Sequence, residues 1–235
     1  KGQSWGMLFY KNSTRTRVSF EVGIRELGGN PILLDLSSTQ IGRGESIKDT
    51  AKVLSRFLDG LIIRTHGHNL ITEFAKYAEI PVVNALTDFL HPCQIYSDCM
   101  TLLEKTGDSR NPKEGLNGKK LAFFGDTSCN MANSWILAGA LWGLDIWLCG
   151  PEEFKPAKEI EDLCRKSDLP MQWHFTSDCK KAADQADVLY TDVWVSMGCQ
   201  DEKSERMEKM SPFRITEDLF EIANQNALFM HCMPA

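Results

Sequence analysis

Short apolar runs alternate with segments of helical spacing along almost the whole chain, and this alternation is what most narrows the choice of fold. Strand patterns fall over 5–10, 31–36, 60–64, 80–85, 120–126, 144–150, 171–175, 188–190 and 227–231. Amphipathic helix patterns fall between them, over 18–27, 46–57, 69–78, 92–105, 130–142, 156–166 and 216–223. Strands rich in Val, Ile and Leu and separated by helices imply parallel sheets covered on both faces. The chain has 235 residues, more than one core of this type usually serves. A polar stretch rich in breakers, 106–115, is the best boundary. The expectation is therefore α/β: two tandem α/β domains, 1–107 and 108–235, each a parallel sheet flanked by helices. Ligands of such sheets bind beyond the carboxyl ends of the strands, which puts the expected active site in the inter-domain cleft.

One motif stands where the first strand turns into the first helix: Ser13-Thr14-Arg15-Thr16-Arg17. Free backbone N–H groups and the positive end of the helix dipole favour an anion there. Two guanidiniums and the neighbouring hydroxyls suit a phosphate or a carboxylate. Further polar clusters fall at predicted strand ends. They are Arg64-Thr65-His66, His91-Pro92-Cys93-Gln94, Gly125-Asp126 with Asn130, Asp192 with Ser196-Met197-Gly198, and His231-Cys232-Met233-Pro234. Structural caps would scatter over both edges of the sheets; these gather at one.

Composition removes several function classes. A net charge of −6 leaves no basic stripe for nucleic acid. No apolar stretch approaches the ~20 residues that span a bilayer. The eight cysteines include no C-x-x-C pair, so free thiols in a reducing compartment are expected, and zinc ligation is not. The second domain has no G-x-G-x-x-G fingerprint after its first strand, which disfavours a dinucleotide. The residues at 201–206, Asp-Glu-Lys-Ser-Glu-Arg, read as a solvated charged loop.

The segments F-Y-K-N-S-T-R-T-R (9–17), H-P-C-Q (91–94), D-V-W-V-S-M-G (192–198) and H-C-M-P-A (231–235) resemble the aspartate/ornithine carbamoyltransferase family. The resemblance covers essentially the whole chain in the family's order. The D-x-x-x-S-M-G segment is similar to that of the ornithine branch. It implies transfer of a carbamoyl group from carbamoyl phosphate to the side-chain amine of L-ornithine, giving L-citrulline and phosphate. A modified ornithine such as acetylornithine, or putrescine, is the near alternative; a non-catalytic binding or assembly module is the distant one. By position, Ser13, Thr14, Arg15 and Thr16 correspond to the phosphate cradle. Arg64, His91 and Gln94 correspond to the groups around the carbamoyl end. Gln40 matches a position that contacts carbamoyl phosphate across a subunit interface. Asn130, Asp192, Ser196 and Met197 correspond to the ornithine site. Cys232, with Met233 where the family usually has leucine, corresponds to a late loop touching both substrates. The resemblance also implies a homotrimer, with no metal and no organic cofactor, in the cytoplasm or, in a eukaryote, the mitochondrial matrix.

The implied chemistry is consistent with these roles. The attacking amine must be neutral, and Asp192 with a Cys232 thiolate would position it and ease its deprotonation. Negative charge on the carbamoyl oxygen would meet donors from Arg64, His91 and Thr16, and phosphate would leave held by Arg15 and the helix N-terminus. Taken singly, each residue also has a structural reading: His91 as a helix-start histidine, Cys232 as an inert buried thiol, Asp192 as a turn cap, Met197 as core. Cys129 stands where the family commonly has asparagine. The family continues past H-C-[LM]-P-A with a further arginine and a final helix, and begins with a helix ahead of Lys1. The chain is therefore expected to be truncated at both ends.

Overall fold

Nine strands form two wholly parallel sheets among the described residues. The structure is a computed structural model and describes residues 1–11, 13–34, 44–106, 111–170, 173–194 and 203–233. It divides into two compact units, Lys1–Cys93 and Gln94–Ala235.

In the first unit the strands are β1 (Ser4–Phe9), β2 (Asn30–Leu34), β3 (Gly60–Arg64) and β4 (Val82–Leu86), in the order β2-β1-β3-β4. Their helices are α1 (Thr14–Glu26), α2 (Ile47–Leu54) and α3 (His68–Tyr77). The central strand β3 is buried along its whole length, which is why it reads as an unbroken apolar run. Alternate residues serve opposite faces. Leu8, Leu61 and Ile63 pack with Ala51, Ile71 and Phe74 on one side. Met7, Ile62 and Ala85 pack with Phe20 and Ile24 of α1 on the other. The edge strand β2 carries Pro31, a residue that a strand paired on both sides would not accommodate.

The second unit contains β5 (Lys120–Phe124), β6 (Asp145–Cys149), β7 (Trp173–Thr176), β8 (Val188–Thr191) and β9 (Leu228–His231), in the order β7-β6-β5-β8-β9. Helix α4 (Pro92–Thr106) leads into it, followed by α5 (Pro112–Leu116), α6 (Asn130–Trp142), α7 (Lys158–Lys166), α8 (Cys179–Ala183), α9 (Lys203–Met210) and α10 (Glu217–Ile222). Ala122, Phe124 and Leu189 pack against Ala182, Ala183, Phe213 and Leu219 on one face. Elsewhere in the unit, Tyr190 stacks on Phe123 at 5.6 Å and meets Trp135 edge-on at 5.3 Å. The boundary between the units falls in the first turn of α4, most of a helix before the breaker-rich segment. The physical reason is α4 itself, whose buried Asp98 is hydrogen-bonded by Tyr190 from within the second sheet.

Tight turns close the carboxyl ends of β5 and β6. Gly125 has φ +114°, a region that side chains rarely enter. A Cβ on Gly150 would lie 2.3 Å from the Gly125 carbonyl oxygen, so only glycine lets these two backbones approach. Gly150→Ala is expected to lower the unfolding free energy by about 1–3 kcal/mol in urea titrations. Gly23→Ala, in α1 where a Cβ meets nothing within 4 Å, is expected to be neutral or stabilising by up to about 1 kcal/mol.

Candidate functional site

Helix α1 starts where its sequence offers a cap. Ser13 is extended (φ −156°, ψ 121°), and its hydroxyl accepts the backbone N–H of Thr16 at 3.3 Å. No acidic residue follows in the first turn, so nothing there offsets the positive end of the helix. Thr14 and Arg15 are exposed, and Arg17 reaches back to Glu21 at 4.0 Å. Arg64 ends β3 and is 8% exposed. Its Nη1 donates to Thr16 Oγ1 at 3.1 Å, and its buried Nε has no partner among the described residues. Burial and the charge of Arg15 both push the Arg64 pKa down. Two guanidiniums thus share one helix start, and no carboxylate pairs with either among the described residues. A buried cation without a counter-ion costs several kcal/mol, so this arrangement is poised to take an anion.

His91 sits just ahead of α4. Burial, helped by the charge of Arg64, lowers its pKa to about 4. Its imidazole is therefore neutral at neutral pH and still offers one N–H.

In the second unit, Asp192 follows β8 and Cys232 follows β9, paired strands whose last residues stand side by side. The Cys232 thiol donates to Asp192 Oδ1 at 2.9 Å, and the same oxygen accepts the Val193 N–H at 2.6 Å. Burial raises the Asp192 pKa. Burial and then the Asp192 charge push Cys232 well above the usual thiol range. Where the sequence suggests a thiolate at Cys232, the structure has the thiol donating to Asp192, since burial first and the neighbouring negative charge second favour the protonated form. Asn130 opens α6 behind Cys129, whose sulfur caps the helix by accepting the Ala132 N–H at 3.5 Å. Gln94, in the first turn of α4, donates its amide N–H to Asp98 Oδ1 at 3.0 Å. Met233 is exposed. Gln40, Ser196 and Met197 lie outside the described residues.

A second correction concerns the charged stretch. From Lys203 onward it is helix α9, and Arg206 donates to the buried Asp126 at 2.9 Å. Asp126 also accepts the Ser128 N–H at 3.0 Å and the Ser128 hydroxyl at 2.6 Å. Nothing local marks Arg206 as different from its charged neighbours, since its partner is 80 positions away.

Asp192, His231 and Cys232 bring one donor atom each within 4.8 Å of the others, the one such trio among the described residues. His231 Nδ1 contacts the Cys232 carbonyl at 2.5 Å, while the thiol is bonded to Asp192.

Residues 1–104 match the family model described as aspartate/ornithine carbamoyltransferase, carbamoyl-P binding domain. Residues 117–235 match the one described as aspartate/ornithine carbamoyltransferase, Asp/Orn binding domain. An ornithine carbamoyltransferase of Methanoculleus marisnigri is 47% identical over 235 residues, covering 100% of this chain and 73% of the relative. One of Halalkalibacterium halodurans is 44% identical, covering 100% and 72%. Among solved structures, the ornithine carbamoyltransferase from Pyrococcus furiosus superposes with a TM-score of 0.87 at 40% identity, covering 100% of this chain and 73% of that one. The anabolic enzyme from Campylobacter jejuni gives 0.86 at 36% identity, covering 100% and 76%.

The His91 environment sets a pH dependence. Its folded pKa of about 4 lies below the unfolded value of 6.5, so the unfolded state binds more protons between the two. The stability that depends on a neutral His91 should be complete above about pH 6.5 and drain away as the pH falls toward 4. Its imidazole NMR resonances should titrate near pH 4, and His91→Asn should remove that share of the acid sensitivity.

Proposed function

The chain belongs to the aspartate/ornithine carbamoyltransferase family, and from that premise we propose that it carbamoylates L-ornithine, giving L-citrulline and phosphate from carbamoyl phosphate. The observation that carries the first substrate is the buried Arg64, held by Thr16 and lacking any counter-ion among the described residues. A phosphate-bearing dianion at the start of α1 supplies the missing charge. It would be held by Ser13, Thr14, Arg15 and Thr16, with domain 1–107 as the carbamoyl-phosphate domain. The second substrate is supported by the 47% identity to a named ornithine carbamoyltransferase and by the Asp192–Cys232 pair.

The reaction exchanges a carbon–oxygen bond for a carbon–nitrogen bond and moves one proton off the amine. The neutral side-chain amine attacks the carbamoyl carbon. The bond from that carbon to the phosphate oxygen then breaks, its electron pair leaving with phosphate. Arg64 and the neutral N–H of His91 donate to the carbamoyl oxygen as charge develops there. The amine's proton goes to Asp192, whose buried carboxylate has a raised affinity for it. The Cys232 thiol keeps that carboxylate in place until the amine arrives. Asn130, Ser196 and Met197 complete the ornithine site, with Gln40, Gln94 and Met233 beside carbamoyl phosphate. Orientation and preformed electrostatics supply the acceleration, since no residue here has to become covalently attached.

We read the assembly as a homotrimer. Val18, Val22, Leu27, Val53 and Phe57 of the first unit are all exposed apolar side chains, a burden that self-association relieves. No helix among the described residues is long and apolar enough to cross a membrane. The described cysteines are all free thiols, which fits the cytoplasm, or the mitochondrial matrix of a eukaryote. There the reaction would serve arginine biosynthesis or a urea cycle.

Arg15→Ala and Arg64→Ala should each weaken carbamoyl phosphate binding at least tenfold by calorimetry, and unchanged affinity would remove that arginine from the cradle. Citrulline formation with ornithine, and not carbamoylation of acetylornithine or putrescine, is the expected outcome of an amine-competition assay. Light scattering should give three times the 26.5 kDa of the chain.

A further inference from the structure

Two side chains of the second unit have no part in the mechanism yet lie in contact: Cys149, the last residue of β6, and Cys179, the first of α8. Their sulfurs are 3.7 Å apart, although the residues stand 30 positions apart in the chain. The turn from β7 into α8 is pinned over the end of β6. The Gly150 N–H donates to the Thr176 carbonyl at 3.3 Å, and the Ser177 hydroxyl donates to the Gly150 carbonyl at 2.9 Å. Cys149 and Thr176 are register partners in the parallel β6–β7 pair, and Cys179 follows three residues later. Cys179 is thus delivered to Cys149 by bonds that involve neither sulfur.

The two sulfurs differ in surroundings and in role. Cys149 is fully buried in the core with Ala122, Phe124 and Ala182, whereas Cys179 is partly exposed. The Cys149 thiol donates to the Cys179 sulfur, and the Cys179 thiol donates onward to the Pro212 carbonyl at 3.6 Å. This direction makes Cys179 the easier of the two to ionise, because the Cys149 S–H remains to hold a Cys179 thiolate. The donated hydrogen bond lowers the Cys179 pKa, while the same bond and burial raise that of Cys149. Core packing accounts for Cys149, but it does not call for a second, half-exposed sulfur in contact with it. A reachable thiol that ionises readily, backed by a second thiol, is the arrangement that oxidation converts to a disulfide.

We propose that Cys149 and Cys179 form a modification site, a dithiol that a hydroperoxide converts reversibly into an intramolecular disulfide tying β6 to α8. It stands apart from the carbamoyltransferase reading. With hydrogen peroxide, the Cys179 sulfur attacks one oxygen; the O–O bond breaks, an S–O bond forms, and the departing hydroxide takes the thiol proton and leaves as water. The Cys149 sulfur then displaces the hydroxyl of that sulfenic acid. The S–O bond breaks, the S–S bond forms, and the hydroxyl leaves with the Cys149 proton as a second water. The two thiols together lose two electrons, and one peroxide becomes two waters. The sulfurs close from 3.7 Å to about 2.05 Å at the start of a five-residue helix.

The test treats the full chain with hydrogen peroxide, blocks remaining thiols with iodoacetamide in denaturant, and reads the unreduced digest by peptide mass spectrometry. The peptides holding Cys149 and Cys179 should appear joined and two hydrogens lighter, at least tenfold faster than Cys164, buried in α7 of the same unit, is oxidised. Dithiothreitol should restore both thiols. Cys149→Ser should stop at a Cys179 sulfenic acid that dimedone captures, and Cys179→Ser should leave Cys149 reduced. The parent chain decides the matter even if a variant fails to fold. The proposal is overturned if both cysteines stay reduced, if Cys149 is joined to a different cysteine, or if Cys179 passes to a sulfinic acid while Cys149 remains free to alkylate. Citrulline turnover plays no part in this measurement, so the failure of either reading leaves the other standing.

Discussion

Parallel pairing throughout both sheets is the constraint on which everything functional here depends. When every strand runs the same way, all carboxyl ends of a sheet share one edge, and the first residue past each strand becomes a neighbour of the next. Asp192 and Cys232 are 40 positions apart, yet each stands one residue beyond a strand in an aligned pair. Arg64 and the turn after Phe9 are brought together in the same way, since β1 and β3 pair with Phe9 opposite Arg64. The glycines at 125 and 150 belong to this constraint too, because strand ends that crowd together leave no room for a side chain.

The two units solve opposite electrostatic problems at those edges. The first accumulates positive charge: a helix start without an acid, an exposed Arg15 and a buried Arg64. Stability is given up for an arrangement that only an anion completes. The second accumulates acceptors, with Asp98, Asp126 and Asp192 all largely buried, and it answers them with donors of different strength. Arg206 gives Asp126 a full cation, whereas among the described residues Asp98 and Asp192 receive neutral hydroxyl, amide, thiol and backbone donors. A carboxylate met by neutral donors keeps its appetite for a proton or an amine, which separates a reactive acid from a structural one.

What is legible ahead of the structure follows the range of the forces involved. The β3 run, Gly60–Arg64, and the α6 pattern, Asn130–Trp142, have the bounds expected from periodicity, because burial of a central strand or of a helix among neighbours is written into consecutive residues. The short helices α5 and α8 escape a pattern search, since five residues carry too little periodicity to register. Helix α9 reads as loop because its eight residues are mostly charged, and its anchor, the Arg206–Asp126 pair, is a tertiary contact. Tyr190 and Asp98 leave faint local traces. Asp98 lies four residues after Gln94 on one helix face, and Tyr190 lies on β8 two residues before Asp192, which follows that strand.

The chain's own order of residues determined its α/β class, the run of strands and helices, the capped start of α1 and the residues able to meet a phosphate or an amine. Periodicity, capping and side-chain chemistry are local properties that need no partner to be recognised. Only the tertiary structure decided their states: that Arg64 is buried without a counter-ion among the described residues, that His91 is neutral, that Cys232 is a thiol and not a thiolate, and that Tyr190 points its proton at Asp98. Each of these depends on desolvation and on the sign of the nearest charge, and both are set by which distant residues the fold brings within a few ångströms.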